Sequence, residues 1–265
     1  MILCLRGGRG LAKVLLSSIQ KVGINWTRFV IANYFNILHT GSEKTLTWDE
    51  LQKPHLERVE KGPDHIYHDN FPMVFHTHTS YDGWGIFDFY PETPKYFDKF
   101  DKIIYQYRNP YDTCISYFWF MMNRTNDPFG AGIVGKELEK IRKLEGFVEF
   151  YLPRWIHHVK TTMDKADLVL DYDILRKDNY DFFMALNLII PGHVDFNTFH
   201  KAFRMSSFRK IRKMSEEVGN PAGLGSPYLK GYFCRDGRSG QYREVMSEEL
   251  IEYIRNECKK EGIEV

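Results

Sequence analysis

The chain has 265 residues, a formal net charge of +1 and a hydrophobic content of 43%, values typical of a globular protein with a sizeable core. The balanced charge argues against a nucleic-acid-binding or membrane-surface protein, and no apolar run reaches the roughly 18 residues needed to span a bilayer. The four cysteines lack the close spacing of a disulfide framework or zinc site, and the N-terminus lacks a continuous signal-peptide core. We therefore expect a cytoplasmic protein with one domain over residues 1–265.

The first predicted unit is a buried strand, a short polar loop and a helix. The apolar run Val14–Leu16 leads into the polar turn 17–28, and a periodic apolar segment follows from Phe29 to Leu38. The N-terminus of such a helix directs backbone N–H groups and a partial positive charge towards the loop. Lys21 in this loop therefore indicates an anionic ligand such as a phosphate, although the loop is not a Walker A sequence. An ordinary strand–helix connection with a surface lysine is the alternative.

Further strands and helices alternate along the rest of the chain. The segments with strand character are 71–78, 101–107 and 167–170, and those with helix character are 111–122, 136–145 and 147–163. This alternation predicts βαβ units and therefore an α/β fold with a central parallel sheet flanked by helices. Ligands of such sheets bind beyond the carboxyl ends of the strands. The polar residues at those positions are Lys21, His78, Arg108 and Tyr172.

Arg108 and Ser116 form a second candidate anion site. Asn109-Pro110 marks a turn that begins the predicted helix, so Arg108 lies in the loop and Ser116 about two turns into the helix. A guanidinium fork and a hydroxyl at this spacing could both reach one phosphate. A surface arginine that follows a strand is the alternative.

Six segments, all in the same order, resemble those of the cytosolic-type, small-molecule sulfotransferases. SIQKVGINW (18–26) resembles their 5′-phosphosulfate loop, RNPYDTCISY (108–117) their 3′-phosphate motif, and TH (77–78) the Thr-His that carries their general base. LDYDIL (170–175), SSF (206–208) and RDGRSGQYR (235–243) are similar to three further family segments. The resemblance implies a P-loop-like phosphosulfate-binding loop on an α/β fold. It also implies sulfuryl transfer from 3′-phosphoadenosine 5′-phosphosulfate (PAPS) to a hydroxyl or amine, with adenosine 3′,5′-bisphosphate (PAP) as product.

The resemblance also implies a role for individual residues. His78 would be the general base and Lys21 would stabilise the transferring group; His76 shares the strand face of His78 and is the alternative base. The residues expected to bind the nucleotide are Lys21, Gly23, Ile24, Asn25, Trp26, Thr27, Arg108, Ser116, Tyr172, Ser206, Phe208, Arg235 and Gly237. The residues expected at the acceptor are His76, Tyr81 and Trp84. With the glycine-containing loop 126–135 as a cover, these aromatic residues predict a partly apolar pocket for a small molecule.

The chain departs from the family pattern at both anion sites. Val22 and Ile24 replace hydroxyl residues of the loop and Gln20 replaces a proline, while Asp236 stands where a phosphate-facing lysine is usual. Both changes predict weaker donor binding than in a typical member. The family's dimer motif maps onto residues 243–252, but Glu248 replaces its apolar valine, so the oligomeric state stays open.

Two other functions are compatible with the same residues. The departures at the anion sites would suit a nucleotide-binding module with little activity. A histidine-ligated metallohydrolase is the second alternative, although its residues match no known metal-binding spacing and we expect no metal. The residues of that cluster are Asp64, His65, His68, Asp69, His76 and His78.

Overall fold

The computed structural model of the protein describes residues 13–47, 56–58, 73–78, 80–82, 97–122, 136–177, 179–189, 194–218 and 236–265. For residues 56–58 and 73–77 it describes the backbone alone. Several predictions lie outside the described residues: those for Trp84, for Arg235, for the loop 126–135 and for the histidines of the proposed metal cluster at 64–69.

Five parallel strands form one sheet with the order β2-β3-β1-β4-β5. The strands are β1 Lys13–Ser17, β2 Leu56–Arg58, β3 Met73–Thr77, β4 Lys102–Tyr107 and β5 Leu168–Asp171. The central strand β1 is buried on both faces, which explains its continuous apolar sequence. The chain places β2 and β3 on one side of β1 and β4 and β5 on the other, so the strand order reverses at β1. The crevice beyond the carboxyl ends at such a reversal is the usual ligand site of an open parallel sheet.

Helices pack around this sheet in two apolar clusters. The helices are α1 Ile24–Thr40, α2 Pro110–Met122, α3 Lys136–Ile141, α4 Leu144–Thr162, α5 Tyr172–Leu175, α6 Tyr180–Ile189, α7 Phe196–Met205, α8 Phe208–Val218 and α9 Glu248–Lys260. Short 3₁₀ turns lie at Met163–Lys165 and Gln241–Glu244. One cluster joins α1, α6 and α7 to the sheet, and the other joins α2, α4 and α9. Among the described helices none is long and apolar enough to cross a bilayer.

The predicted fold class, a central parallel sheet flanked by helices, is confirmed, but two helix boundaries were wrong. The first helix begins at Ile24 and not at Phe29, because Gly23 makes the turn in a left-handed conformation (φ 88°) and its carbonyl accepts from the N–H groups of Trp26 and Thr27. The predicted helix 136–145 ends at Ile141, because Lys143 is extended (φ −97°, ψ 146°) before α4 begins.

Candidate functional site

A cleft of about 180 Å³ lies beyond the carboxyl end of β1. It is lined by segments that follow four of the five strands, together with the first turn of α8 and the turn that precedes residue 241. The lining residues are Gln20, Lys21, Gly23, Ile24, Asn25, Trp26, His78, Arg108, Ser116, Trp119, Phe120, Tyr172, Phe208, Ile211, Asp236, Gly237 and Gln241. The cleft therefore collects residues from all six of the sequence segments described above.

The loop between β1 and α1 forms one end of the cleft. Lys21 has a left-handed backbone (φ 71°), which is uncommon for a residue with a side chain, and its ammonium lies 4.1 Å from the centre of the Phe120 ring. The N-cap residue Gly23 has no side chain to cap α1, so the start of the helix, with the N–H groups of Ile24 and Asn25 and its partial positive charge, lines the cleft. This end is suited to an anion.

Two distant residues hold this loop in place. The Gln106 side chain on β4 donates from Nε2 to the Val22 carbonyl (2.8 Å), and the Tyr151 hydroxyl on α4 donates to the Gln20 carbonyl (3.3 Å). Both Val22 and Ile24 are buried, each in a different apolar cluster. The positions where hydroxyl residues were expected therefore pack the core on either side of the loop.

His78 lies at the cleft immediately after β3. Its Nδ1 is 3.1 Å from the Ser18 carbonyl oxygen and 3.4 Å from the Ser18 hydroxyl, and the shorter contact, to an oxygen that can only accept, assigns the hydrogen to Nδ1. Nε2 is then the unprotonated nitrogen of the neutral ring. An imidazole held in this tautomer can accept a proton through Nε2.

The other end of the cleft is built around the Arg108 guanidinium, which is only 3% exposed. Its Nη2 donates to the Arg238 carbonyl (2.8 Å), and its carbon lies 4.8 Å from the centre of the Tyr172 ring. Within the described part of the chain its Nε finds no hydrogen-bond acceptor, although Asp173 lies 3.9 Å away. A buried guanidinium N–H without an acceptor, with Ser116 lining the same cleft, fits a second anion.

Asp112 and Asn109 fix the geometry of this second end. Asn109 accepts from the Asp112 N–H at the start of α2 (2.8 Å) and donates to Asp173 (2.6 Å). The fully buried Asp112 carboxylate accepts from the N–H groups of Gly240 (2.7 Å) and Tyr242 (3.2 Å). The turn that carries Gly237 and Gln241 is thereby tied to α2.

Aromatic rings line the cleft between its two ends. Asp171 caps α5 by accepting from the N–H groups of Asp173 and Ile174, and burial raises the pKa of its carboxyl group. This cap fixes the position of the following residue, Tyr172. The Tyr172 hydroxyl donates to the Gly237 carbonyl (3.3 Å), and its ring packs against Trp26 edge to face.

Two glycines allow these rings to approach the backbone. A Cβ at Gly23 would fall 2.2 Å from the Tyr172 ring, and one at Gly237 would fall 2.5 Å from the Phe208 ring. The aromatic wall between the anion-binding ends therefore depends on glycine at both positions, and its ring faces are suited to contact with a planar base.

Three of the predicted residues lie elsewhere. Thr27 is fully buried on α1, and its hydroxyl has no hydrogen-bond partner among the described residues. Ser206 is fully buried, where its hydroxyl donates to the Ala202 carbonyl (2.9 Å) and accepts from Asn33 (3.0 Å). Tyr81 packs against the ring of Phe97 (5.2 Å). For His76 the structure describes only the backbone.

The sequence analysis missed several lining residues, and for three of them a signal existed. Trp119 and Phe120 follow Ser116 by three and four positions on α2, and Ile211 follows Phe208 by three positions on α8. Residues at these spacings share one face of a helix, so they follow from the predicted ones. Gln241 carries no such signal. Within the described ranges no cluster of histidine, cysteine and carboxylate side chains could hold a metal.

The fold and the cleft define an α/β protein with a P-loop-like loop and a second cationic end facing it. The sulfotransferase domain matches residues 11–263, so the chain belongs to the sulfotransferase family. This membership confirms the sequence-based recognition, the enzyme class and the expected donor and product, PAPS and PAP.

Similar proteins are known by sequence and by structure. Amine sulfotransferase of Oryctolagus cuniculus is 24% identical over 254 residues, which cover 90% of this chain and 77% of that protein. Mouse sulfotransferase SULT7A1 complexed with PAP has a TM-score of 0.61 at 16% identity and covers 94% of this chain and 83% of its own. Retinol dehydratase in a complex with retinol and PAP has a TM-score of 0.65 at 14% identity, with coverages of 96% and 82%.

Proposed function

We propose that this protein transfers a sulfuryl group from PAPS to a hydroxyl or amine of a small molecule, with His78 as general base and Lys21 stabilising the transferring group. The observation that carries the proposal is the pairing of two anion-binding ends in one cleft, with aromatic walls between them and the His78 imidazole beside the loop end. A nucleotide with phosphates at both its 5′ and 3′ positions has the matching distribution of charge.

Each end of the cleft has the chemistry to hold one phosphate. Lys21, the backbone of Gly23 and the first turn of α1 would hold the 5′ group, as a helix N-terminus does in other phosphate sites. The Arg108 guanidinium and the Ser116 hydroxyl would hold the 3′-phosphate, and the buried Arg108 Nε supplies a donor that a phosphate oxygen can use. Trp26, Tyr172, Phe208 and Gly237 would contact the base and the ribose.

The reaction assigns one task to His78 and another to the loop end of the cleft. PAPS supplies an activated sulfuryl group whose bond to the 5′-phosphate breaks as the acceptor oxygen or nitrogen attacks. His78 takes the proton from the acceptor at Nε2, because Nδ1 is already committed to the Ser18 carbonyl. Lys21 and the first turn of α1 stabilise the negative charge that grows on the 5′-phosphate oxygen.

The acceptor class, the cellular location and the domain extent belong to the same proposal. A hydroxyl or amine acceptor is supported by the names of similar proteins, since one acts as an amine sulfotransferase and another was solved with retinol. The resemblance to cytosolic-type enzymes supports a cytoplasmic protein with one domain over residues 1–265.

A binding comparison and a transfer assay test the proposal. We expect PAP to bind more tightly than 5′-AMP, and Arg108→Met to reduce PAP affinity by roughly 10- to 100-fold with little effect on 5′-AMP. Arg142→Met removes an exposed cation and is the matched control. Radiolabelled PAPS incubated with a panel of amines and apolar alcohols should then yield a labelled product. Tight PAP binding with no transfer to any acceptor would favour the nucleotide-binding module instead.

A further inference from the structure

Among the described residues, three carboxylates lie at the Arg108 end of the cleft. Asp112 lies 3.7 Å and Asp173 lies 3.9 Å from the Arg108 guanidinium, and Asp236 lines the cleft beside them. Such a cluster would repel the 3′-phosphate that the proposed function places there, unless another cation takes part. Arg235, which directly precedes Asp236 and is expected to bind the nucleotide, lies outside the described residues; among the described cations, Arg238 pairs with Asp236.

Arg238 holds both oxygens of the Asp236 carboxylate. Its Nε lies 2.8 Å from Oδ1 and 3.0 Å from Oδ2, and its Nη2 lies 2.9 Å from Oδ2. The same guanidinium bonds Glu244 through Nη1 (2.9 Å) and Nη2 (3.1 Å). Because Asp236 lines the cleft, its carboxylate lies between the cleft and the Arg238 guanidinium.

The backbone at Arg238 is already part of the site. Its carbonyl accepts from Arg108 Nη2 (2.8 Å) and from Gln241 Nε2 (3.3 Å), and both of those side chains line the cleft. The Arg238 side chain itself is 57% exposed. A fixed backbone with an exposed long side chain allows the guanidinium to change partners without moving the turn.

The three carboxylates differ in what they are bound to. Asp112 is fully buried and accepts two backbone N–H groups that hold the turn, and Asp173 accepts from Asn109 and Ser239. Those bonds would be lost if either carboxylate moved. Asp236 also accepts from the backbone N–H of Arg238 (3.3 Å), but the guanidinium that holds its carboxylate is 57% exposed and can be reached by a competing phosphate.

Resting on the proposed function, we propose that Arg238 is a further nucleotide-binding residue, held beside the cleft by Asp236 until the 3′-phosphate takes the place of that carboxylate. The guanidinium exchanges one oxyanion for another, and the phosphate is the stronger partner because it carries more charge and accepts a bidentate bond. Arg238 thereby supplies the cation that is missing at position 236, and Asp236 makes binding depend on the charge of the incoming group.

A thermodynamic cycle measured by isothermal titration calorimetry separates this role from simple neutralisation of Asp236. The titrants are PAP and 5′-AMP, which lacks the 3′-phosphate. We expect Arg238→Gln to weaken PAP binding by roughly 10- to 100-fold and Asp236→Asn to strengthen it, with 5′-AMP little changed in both. The double variant should still bind PAP at least about tenfold more weakly than Asp236→Asn alone. Arg238→Lys, which keeps the charge without the fork, should fall between wild type and Arg238→Gln.

Two comparisons would overturn the inference. If the double variant bound PAP as Asp236→Asn does, Arg238 would only neutralise Asp236. If Arg238→Gln weakened PAP and 5′-AMP equally, its effect would not concern the 3′-phosphate. Arg243→Gln removes an exposed cation of the same turn that lies over the Tyr242 ring, and it should leave PAP affinity within about twofold. A wild-type protein that fails to prefer PAP over 5′-AMP would refute the proposed function itself.

Discussion

Replacing Gly23 with alanine tests whether the loop end and the aromatic wall of the cleft are in the close contact described above. The alanine Cβ would lie 2.2 and 2.3 Å from two carbons of the Tyr172 ring, far inside van der Waals contact. The ring cannot easily retreat, because Tyr172 is only 5% exposed, its hydroxyl bonds the Gly237 carbonyl, and the Arg108 guanidinium lies over its face. Either Tyr172 or the start of α1 must move.

The size of the effect can be estimated with a second glycine of the same helix. Gly41, at the C-terminus of α1, also has a left-handed backbone (φ 67°), but among the described residues nothing lies within 4 Å of its Cβ position. Gly41→Ala therefore costs only the backbone strain, about 1–2 kcal/mol. Gly23→Ala carries the same strain and in addition about 1–3 kcal/mol of overpacking against Tyr172.

The measurement is equilibrium unfolding in urea of wild type, Gly23→Ala and Gly41→Ala, combined with PAP titration of each. We expect the free energy of unfolding to fall further for Gly23→Ala than for Gly41→Ala by about 1–3 kcal/mol. PAP affinity should fall at least about tenfold in Gly23→Ala only, because displacing Tyr172 removes a stacking surface. Equal losses of stability with PAP affinity intact in both variants would refute the contact between Gly23 and Tyr172.

Three further predictions concern single groups. Lys21→Gly and Lys21→Ala should both lose turnover, but the glycine variant should be more stable in urea by about 1 kcal/mol because φ is 71°; equal midpoints would contradict the left-handed backbone. His78→Asn keeps a donor for the Ser18 carbonyl but has no base, so kcat should fall by about 10²–10⁴ with PAP affinity unchanged, and a matching loss of affinity would contradict the role of base. Burial lowers the pKa of His158 from 6.5 to about 3, so the stability due to its neutral form is present above pH 6.5 and is lost as the pH falls towards 3. The free energy of unfolding should therefore drop by about 2 kcal/mol from pH 7 to pH 5, and His158→Gln should lose that part of the drop; parallel curves for the two proteins would argue against it.

The sequence predicts the parts of the site that are adjacent along the chain. Lys21, Gly23 and the residues up to Trp26 lie within one turn, so a single motif and the physics of a helix N-terminus were sufficient to place them together. Arg108 and Ser116 are similarly joined by one helix. The parallel sheet followed from the alternation of strand and helix patterns, and the sheet then places the ends of its strands at one edge.

The contacts that hold these parts in position could not be predicted. Gln106 and Val22 are 84 residues apart and Asp112 and Gly240 are 128 residues apart, and nothing in a buried glutamine or aspartate tells which distant N–H or carbonyl it meets. The meaning of Val22 also changed with the structure. From the sequence it indicates a lost hydroxyl, whereas its burial in an apolar cluster shows that the position packs the core.

One side chain, that of Tyr172, contacts both anion-binding ends of the cleft. Lys21 and Arg108 both lie on loops beyond the strands, so the sheet alone does not fix the distance between them. Tyr172 connects them in addition to the Gln106 tether, because its ring is against Gly23 on the first loop, lies under the Arg108 guanidinium, and is tied by its hydroxyl to Gly237. Substitutions at Gly23 and Arg108 should therefore couple through Tyr172 and not add independently.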